Sequence, residues 1–359
     1  MEPSAPKVLL VGDFPPPNGG VATHVEVLFR AVRAQGGECH VLDIGKGQLP
    51  ADGVVPAGSP ARFAALLASY AARGFLIHVH TSGANPKSWM LASICAAAGA
   101  LSGRPPAITF HSGIAPPWLA ASAVRRAVAK RVCHGYGTIV AVSEEIRQSL
   151  VLCGVDAARI EVLHAFTPAF LTPGAAPEGF AALRAEAAPL FSAMCAPGGI
   201  YGEDLLLAAF EQVRAELPRA RLALYGIGSA GLTRPSVHGF GQVQRETALA
   251  IMAGADVFVR PTLADGDSVS VREALALGRI VIASRVGTRP PDVRLVPPGD
   301  VAALAAEMLA VARAPIVTSV AKPEDCLDRL LSLYGFESPA QQPAPARAPE
   351  APCAASRAL

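Results

Sequence analysis

"VFVRPTLADGDSVSVREALALGRIVIAS", Val257 to Ser284, is the stretch that decides how this chain folds. Its two ends are short β-branched runs of the kind that form buried strands, and between them a polar loop leads into a helical segment. A strand, a helix and a second apolar strand in that order are a unit of a parallel sheet. Asp265, Asp267, Arg272 and Glu273 interrupt the apolar pattern. A buried charge is costly unless something pairs with it, so these groups are expected on a solvated rim or facing a ligand.

The same alternation runs through the rest of the sequence. "KVLLV" at 7–11 precedes a helical segment at 21–34, "CHVLDI" at 39–44 precedes one at 60–73, and "FLIHVH" at 75–80 precedes one at 86–101. "PAITFH", "TIVAVS" and "IEVLHAF" continue the series. Strands apolar on both faces and separated by helices predict a parallel sheet covered on each side. The pattern dissolves in "TPAFLTPGAAPEG", residues 167–179, a Pro/Gly/Ala connector. A second alternation follows, with strands near 189–195, 221–225, 256–259 and 280–283, and helices opening near Gly202, Gln244 and Ser268. The reading is therefore α/β, with two Rossmann-like doubly wound domains facing each other across a cleft. The first covers 1–166, the linker 167–179 and the second domain 180–322. A terminal helix is expected over 323–336, and the Pro/Ala-rich residues 337–359 are expected to be disordered. Ligands of open α/β sheets bind beyond the carboxyl ends of the strands, so the cleft is the expected active site.

Composition removes several function classes. The chain has 359 residues, more than one ordinary core accommodates, and a formal charge of only +2, too little for a nucleic-acid-binding face. Half of it is hydrophobic, yet its longest uncharged runs, such as 88–103, fall short of the roughly 18 apolar residues of a spanning helix. The opening "MEPSAPKVLLVGDF" lacks the pattern of an export signal, so a cytoplasmic location is expected. Seven cysteines at 39, 95, 133, 153, 195, 326 and 353, none spaced as C-x-x-C, read as reduced structural thiols.

The candidate chemistry lies in the loops after strands. In "GDFPPPNGGVATHVEVL", Gly19 and Gly20 stand where a helix opens; they suit close approach of an anion to free helix-terminal N–H groups, and equally a plain strand-to-helix turn. "HVHTSG" and "TFHSG" bring His78, His80 and His111 towards the cleft edge, His78 as a packed core residue and the other two at strand ends. His80 and His111 do not share metal-ligand spacing on one element, which argues against a metal. Gly226, Gly228 and Gly231 match G-x-G-x-x-G, but no helix opens there and no acid follows a second strand, so a dinucleotide is rejected. Asp265 in the loop and Glu273 on the first helical turns are placed to accept hydrogen bonds from one polyhydroxylated ligand; acids there also favour a helix dipole without any ligand.

In these motifs, and in "IVAVSEEIRQSL…GVDAARIEVLHAF", "VHGFGQV…ALAIMAGADVFVRPT", "EALALGRIVIAS" and "LVPPGDVAALAAEM" taken in order, the chain resembles the retaining family 4 glycosyltransferases of the GT-B fold, over nearly its whole length to about Tyr334. The family's acidic pair falls on Asp265 and Glu273. The resemblance implies that Glu273 binds the nucleotide ribose, Asp265 the donor sugar, Gly19 and Gly20 the diphosphate, and that His111 sits at the reacting sugar. Two departures stand out. The first acid is an aspartate instead of a glutamate, and the family's diphosphate-gripping Arg and Lys are absent from "SAMCAPGGIYGEDLLLAAF", where Tyr201 takes about the lysine's place.

The expected activity is metal-independent transfer of a hexose from a nucleotide diphosphate sugar, with uridine as the expected base, to a hydroxyl of a growing cell-surface or lipid-linked glycan, with no separate cofactor. The rival readings are an inactive glycan-binding subunit and an epimerase or glycan phosphorylase on the same fold. A closing cleft needs a cation for the diphosphate. Arg260, at the carboxyl end of a strand, is the candidate, helped by backbone N–H groups of Gly19, Gly20 and Gly266, with an internal ion pair to Asp265 or Asp267 as the other reading. Finally, "SAVRRAVAKRVCHG" places Arg125, Arg126, Lys130 and Arg131 with Val124, Val128 and Val132 at helical spacing. It reads as a docking helix for anionic lipid or as a solvated face over a core stripe.

Overall fold

A computed structural model describes residues 5–16, 19–45, 50–196, 198–314 and 325–337. The outer segments 315–324 and 338–359, which hold the end of the expected second domain, the start of the terminal helix, Cys353 and nearly all of the tail, lie outside the described residues.

Seven strands form the first sheet: β1 (Lys7–Gly12), β2 (Glu38–Asp43), β3 (Val54–Pro56), β4 (Leu76–Thr81), β5 (Ala107–Phe110), β6 (Thr138–Ala141) and β7 (Ile160–Val162). They pair in parallel in the order β3-β2-β1-β4-β5-β6-β7. Order reverses between β1 and β4, which makes the carboxyl ends of those two strands the switch point. The second sheet contains β8 (Leu190–Met194), β9 (Arg221–Tyr225), β10 (Thr233–Arg234), β11 (Val237–Gly239), β12 (Val257–Arg260), β13 (Ile280–Ser284) and β14 (Arg294–Val296), in the order β10-β11-β9-β8-β12-β13-β14. Every pair in it is parallel except β10–β11.

Local chemistry fixes the helix starts. Ser59, Asn85, Ser143 and Asp300 each accept a hydrogen bond from a first-turn backbone N–H, and Pro60 and Pro86 occupy first-turn positions where no N–H is needed. Each sheet is buried on both faces. Leu9, Val11, Ile77, Val79 and Ile108 face one layer of the first domain and Val8, Leu10, Val41 and Val140 the other; Phe191, Val257 and Val259 oppose Leu190, Phe258 and Val281 across the second. That double burial is why these strands read as continuous apolar runs.

The terminal helix, Leu327–Ser332, does not extend the second domain. Cys326, Leu330, Leu331 and Tyr334 pack with Val8, Leu10, Val25 and Leu28 on the first domain, and the Tyr334 hydroxyl lies 2.5 Å from His78 Nδ1. The other His78 nitrogen meets Thr109 Oγ1 at 2.8 Å, so His78 is a satisfied core residue. The six described cysteines are buried. No described helix is long and apolar enough to cross a membrane.

The basic helix Ala123–Cys133 is not the core-stripe helix that its valines predict. It buries Ala129, Val132 and Cys133 and leaves Val124 and Val128 exposed. Neighbouring Met90, Ile94 and Leu101, on the helix Pro86–Ser102, are exposed as well.

Candidate active site

A cavity of about 350 Å³ lies between the two domains. The first domain lines it with Gly19, Gly20 and Thr23 after β1 and with His111 and Ser112 after β5; the second lines it with Tyr201, Arg245, Arg260, Asp265 to Ser270 and Glu273. The domains meet closely at its base. A Cβ at Gly113 would stand 1.7 Å from the Asp265 carbonyl oxygen, and one at Gly266 would stand 2.6 Å from that of His111. Glycine is required at both positions for the loop after β5 to seat against the loop after β12.

Gly19 and Gly20 lie where the helix Gly20–Ala34 opens, with Gly19 as an extended cap lacking a side-chain bond. A Cβ at either would meet nothing within 4 Å. No contact with a described residue demands glycine there, and the first-turn N–H groups of that helix, which have no intrahelical acceptor, stand at the cavity.

The four charges of the opening stretch divide into distinct environments. Asp267 borders the cavity, but its charge is paired inside the protein: Arg272 Nε donates to Asp267 Oδ1 at 2.8 Å and to Oδ2 at 2.9 Å, and the carboxylate side chain has no exposed surface. His164 of the first domain completes the cluster, with Nδ1 3.1 Å from Asp267 Oδ2 and 2.9 Å from Arg272 Nη2. This ion pair ties the two domains together. Glu273 is likewise paired inside the protein, accepting from Arg245 Nη2 at 2.7 Å, while Arg245 Nη1 donates to the Phe170 carbonyl at 2.7 Å. Burial pushes the Glu273 carboxyl above the usual range, and Arg245 opposes that shift.

Asp265 faces the cavity. Its Oδ1 accepts from Gly266 N at 3.1 Å and its Oδ2 from Arg289 Nη2 at 3.1 Å. Arg260 Nε lies 3.5 Å from the same Oδ2, an ion-pair contact without a hydrogen bond. The Arg260 guanidinium rests over the Tyr201 ring at 4.4 Å, so the tyrosine in the expected lysine position carries an arginine from another strand. Arg260 is 7% exposed, and its Nε and Nη1 are buried without a hydrogen-bond partner among the described residues. Both sequence readings of Arg260 meet in this arrangement: it neighbours Asp265, and it retains unused donors at the cavity wall.

His111 lines the cavity, but His80 does not. His80 lies within β4, 2% exposed, because the strand continues to Thr81 and turns the ring inward. There His80 Nδ1 is 3.2 Å from His111 Nε2, and His24 packs edge-on against both rings. Burial drives the pKa of His24 down to about 4 and of His80 and His111 well below the ordinary range. The one-element spacing argument could not foresee this trio, whose members come from a helix, a strand and a loop.

Arg245, Arg289 and His24 were not singled out from the sequence. Arg245 stands two residues after the quoted "VHGFGQV" segment and His24 stands inside "GGVATHVEVL", so both lie in or beside recognised motifs. Arg289 stands in a turn after β13 with no local pattern to mark it.

Two family profiles match the chain: "Glycosyltransferase Family 4" over residues 18–167 and "Glycosyl transferases group 1" over residues 191–314. No curated protein matches it. Among solved structures, sucrose-phosphate synthase from Thermosynechococcus elongatus is 19% identical, with a TM-score of 0.66, covering 91% of this chain and 95% of that one. Anabaena HepE in complex with UDP-glucose is 17% identical, with a TM-score of 0.62 over 90% and 99%. The Escherichia coli trehalose-6-phosphate structure bound with UDP-2-fluoro glucose is 14% identical, with a TM-score of 0.61 over 92% and 95%. At these identities the structures establish the shared fold, and the two profiles between them span both domains. The chain belongs to the family 4 glycosyltransferases and is a glycosyltransferase of the GT-B fold.

Proposed function

We propose that this enzyme transfers a hexose, with retention of anomeric configuration, from a uridine diphosphate sugar to a hydroxyl of a lipid-linked or cell-surface glycan. The observation that carries the reading is Arg260, a buried guanidinium with two unpartnered nitrogens at the wall of the interdomain cavity. Such donors are costly unless an anion completes them, and a diphosphate supplies acceptors in pairs. Gly19 and Gly20 leave room for it at a helix opening, where backbone N–H groups assist; the Gly266 N–H, expected to help, is instead donated to Asp265 Oδ1. Glu273 serves the ribose through its remaining oxygen while Arg245 holds it in place; Asp265, steadied by Arg289, serves the donor sugar, and His111 stands at the reacting sugar. HepE and the E. coli structure hold UDP sugars, which supports the uridine assignment.

In the proposed step the bond from the anomeric carbon to the diphosphate oxygen breaks. The acceptor oxygen bonds the same face, and its proton passes to the departing diphosphate. The protein supplies positioning and charge stabilisation, with no protein nucleophile and no metal in the step. The exposed Val124, Val128, Met90, Ile94 and Leu101 beside Arg125, Arg126, Lys130 and Arg131 fit a peripheral contact with an anionic membrane at the cytoplasmic face, where a lipid-linked acceptor would lie.

The test is a screen of sugar nucleotides for hydrolysis and transfer, with the product anomer read by NMR. Retained configuration with a UDP sugar is expected; inversion overturns the mechanism. A chain that binds UDP and uridine equally and turns over no donor is the inactive subunit. In His111→Ala, transfer falls by orders of magnitude while UDP binding persists.

A further inference from the structure

We propose that His24, His80 and His111 form a three-imidazole site for one divalent transition-metal ion of the zinc class behind the wall of the cleft. His24 comes from the helix Gly20–Ala34, His80 from β4 and His111 from the loop after β5. One ring nitrogen from each can be chosen so that all lie within 4.8 Å of one another. The ring centroids form a nearly equilateral triangle, at 5.3 Å for His24–His80, 5.2 Å for His24–His111 and 5.4 Å for His80–His111. Three imidazoles on one tetrahedral zinc, with bonds of about 2.0–2.1 Å, place their centroids roughly 5.2 Å apart and their ligating nitrogens roughly 3.3 Å apart. His80 Nδ1 and His111 Nε2 already stand 3.2 Å apart. Bringing the widest pair to the same edge takes a ring shift of about 1.5 Å at most.

Hydrogen-bond accounting points the same way. Among the described residues both His24 nitrogens are buried without a partner, whereas nearby His78 has both nitrogens engaged; an ion held by His80 Nδ1 and His111 Nε2 would take one of the two from His24. Unsatisfied buried nitrogens are rare and need an occupant. Imidazole selects zinc, copper, nickel or iron over magnesium or calcium. His111 lines the cleft and gives the ion its route in, and three protein ligands leave a fourth position for water.

The experiment uses the whole protein, stripped with a chelator and titrated with Zn²⁺ by calorimetry and with Co²⁺ by visible spectroscopy. One ion per chain is expected, with the intense visible bands of tetrahedral cobalt. His24→Asn and His80→Gln, each checked for a cooperative thermal transition, are expected to weaken binding by roughly 100-fold or more. His134→Ala, at an exposed histidine, is expected to bind as the wild type does. Absence of saturable binding, the pale spectrum of octahedral cobalt, or unchanged affinity in both folded cluster variants overturns the site and leaves water as the occupant. If the variants do not fold, the cobalt-loaded wild type decides: hyperfine-shifted NMR signals from three imidazoles support the site, and fewer refute it. None of these readouts depends on glycosyl transfer, so the proposal stands or falls apart from the donor assignment.

Discussion

Asp265 and Asp267 stand two residues apart in one loop, and each meets arginine, yet their surroundings differ. Around Asp267 the hydrogen bonding is closed: both carboxylate oxygens accept from Arg272, His164 adds the first domain, and no side-chain surface remains. Around Asp265 it is open: Arg289 is bonded, Arg260 is near but not bonded, and two buried Arg260 nitrogens have no hydrogen-bond partner among the described residues. Asp267 is the more deeply buried acid, with no side-chain surface against 15% for Asp265, and it meets one arginine where Asp265 meets two. Unspent donor capacity separates them, and it marks which one has a ligand to meet.

The largest effect expected is on the closed cluster. Asp267→Ala leaves Arg272 buried without its partner and should cost roughly 3–5 kcal/mol of stability, read from denaturant unfolding; a loss under 1 kcal/mol would break the contrast. Next comes Arg260→Ala. UDP affinity should fall by about 1.5–3 kcal/mol, or roughly 10- to 150-fold, with uridine affinity and melting temperature little changed, as titration calorimetry would show. Equal losses for UDP and uridine would make Arg260 structural too.

The buried histidines set a third measurement, made on metal-free protein. His24 and His78 titrate near 4 and 3 in the fold against 6.5 when exposed, so the unfolded chain binds more protons between those values. Their contribution is complete above pH 6.5 and is lost as pH falls through the folded values. Each ring should remove about 1.4 kcal/mol per pH unit below 6.5. Unfolding curves at pH 7 and pH 5 would check this, and His24→Phe should flatten the decline. The smallest effect belongs to Tyr201→Leu, which removes the ring beneath Arg260 and should weaken UDP binding by about 0.5–2 kcal/mol without altering the fold. An unchanged affinity would show that Asp265 alone positions the guanidinium.

Sequence periodicity carried the architecture because it is a local record of burial. Runs such as "KVLLV" and "VFV" are apolar on both faces wherever a parallel strand is covered on both sides, and Ser59, Asn85, Ser143 and Asp300 cap helices through neighbours a few residues away. Strand ends follow from the same record, which is how Arg260, His111 and the glycines at 19 and 20 could be placed beside a cleft. Partnership is not local. Arg245 meets Glu273 across 28 positions, His164 meets Arg272 across 108, and Tyr334 meets His78 across 256. The register of two sheets and the docking of two domains decide those contacts. The sequence by itself determined ten of the described strands, where the cleft opens and which charges stand near it, but not β3, β10, β11 and β14, short strands at the sheet margins with too few residues to show a pattern. Only the tertiary structure decided which charges are already satisfied, that the last helix returns to the first domain, and that three histidines from separate elements share one pocket, because hydrogen bonds and ligand geometry depend on distances that local pattern does not encode.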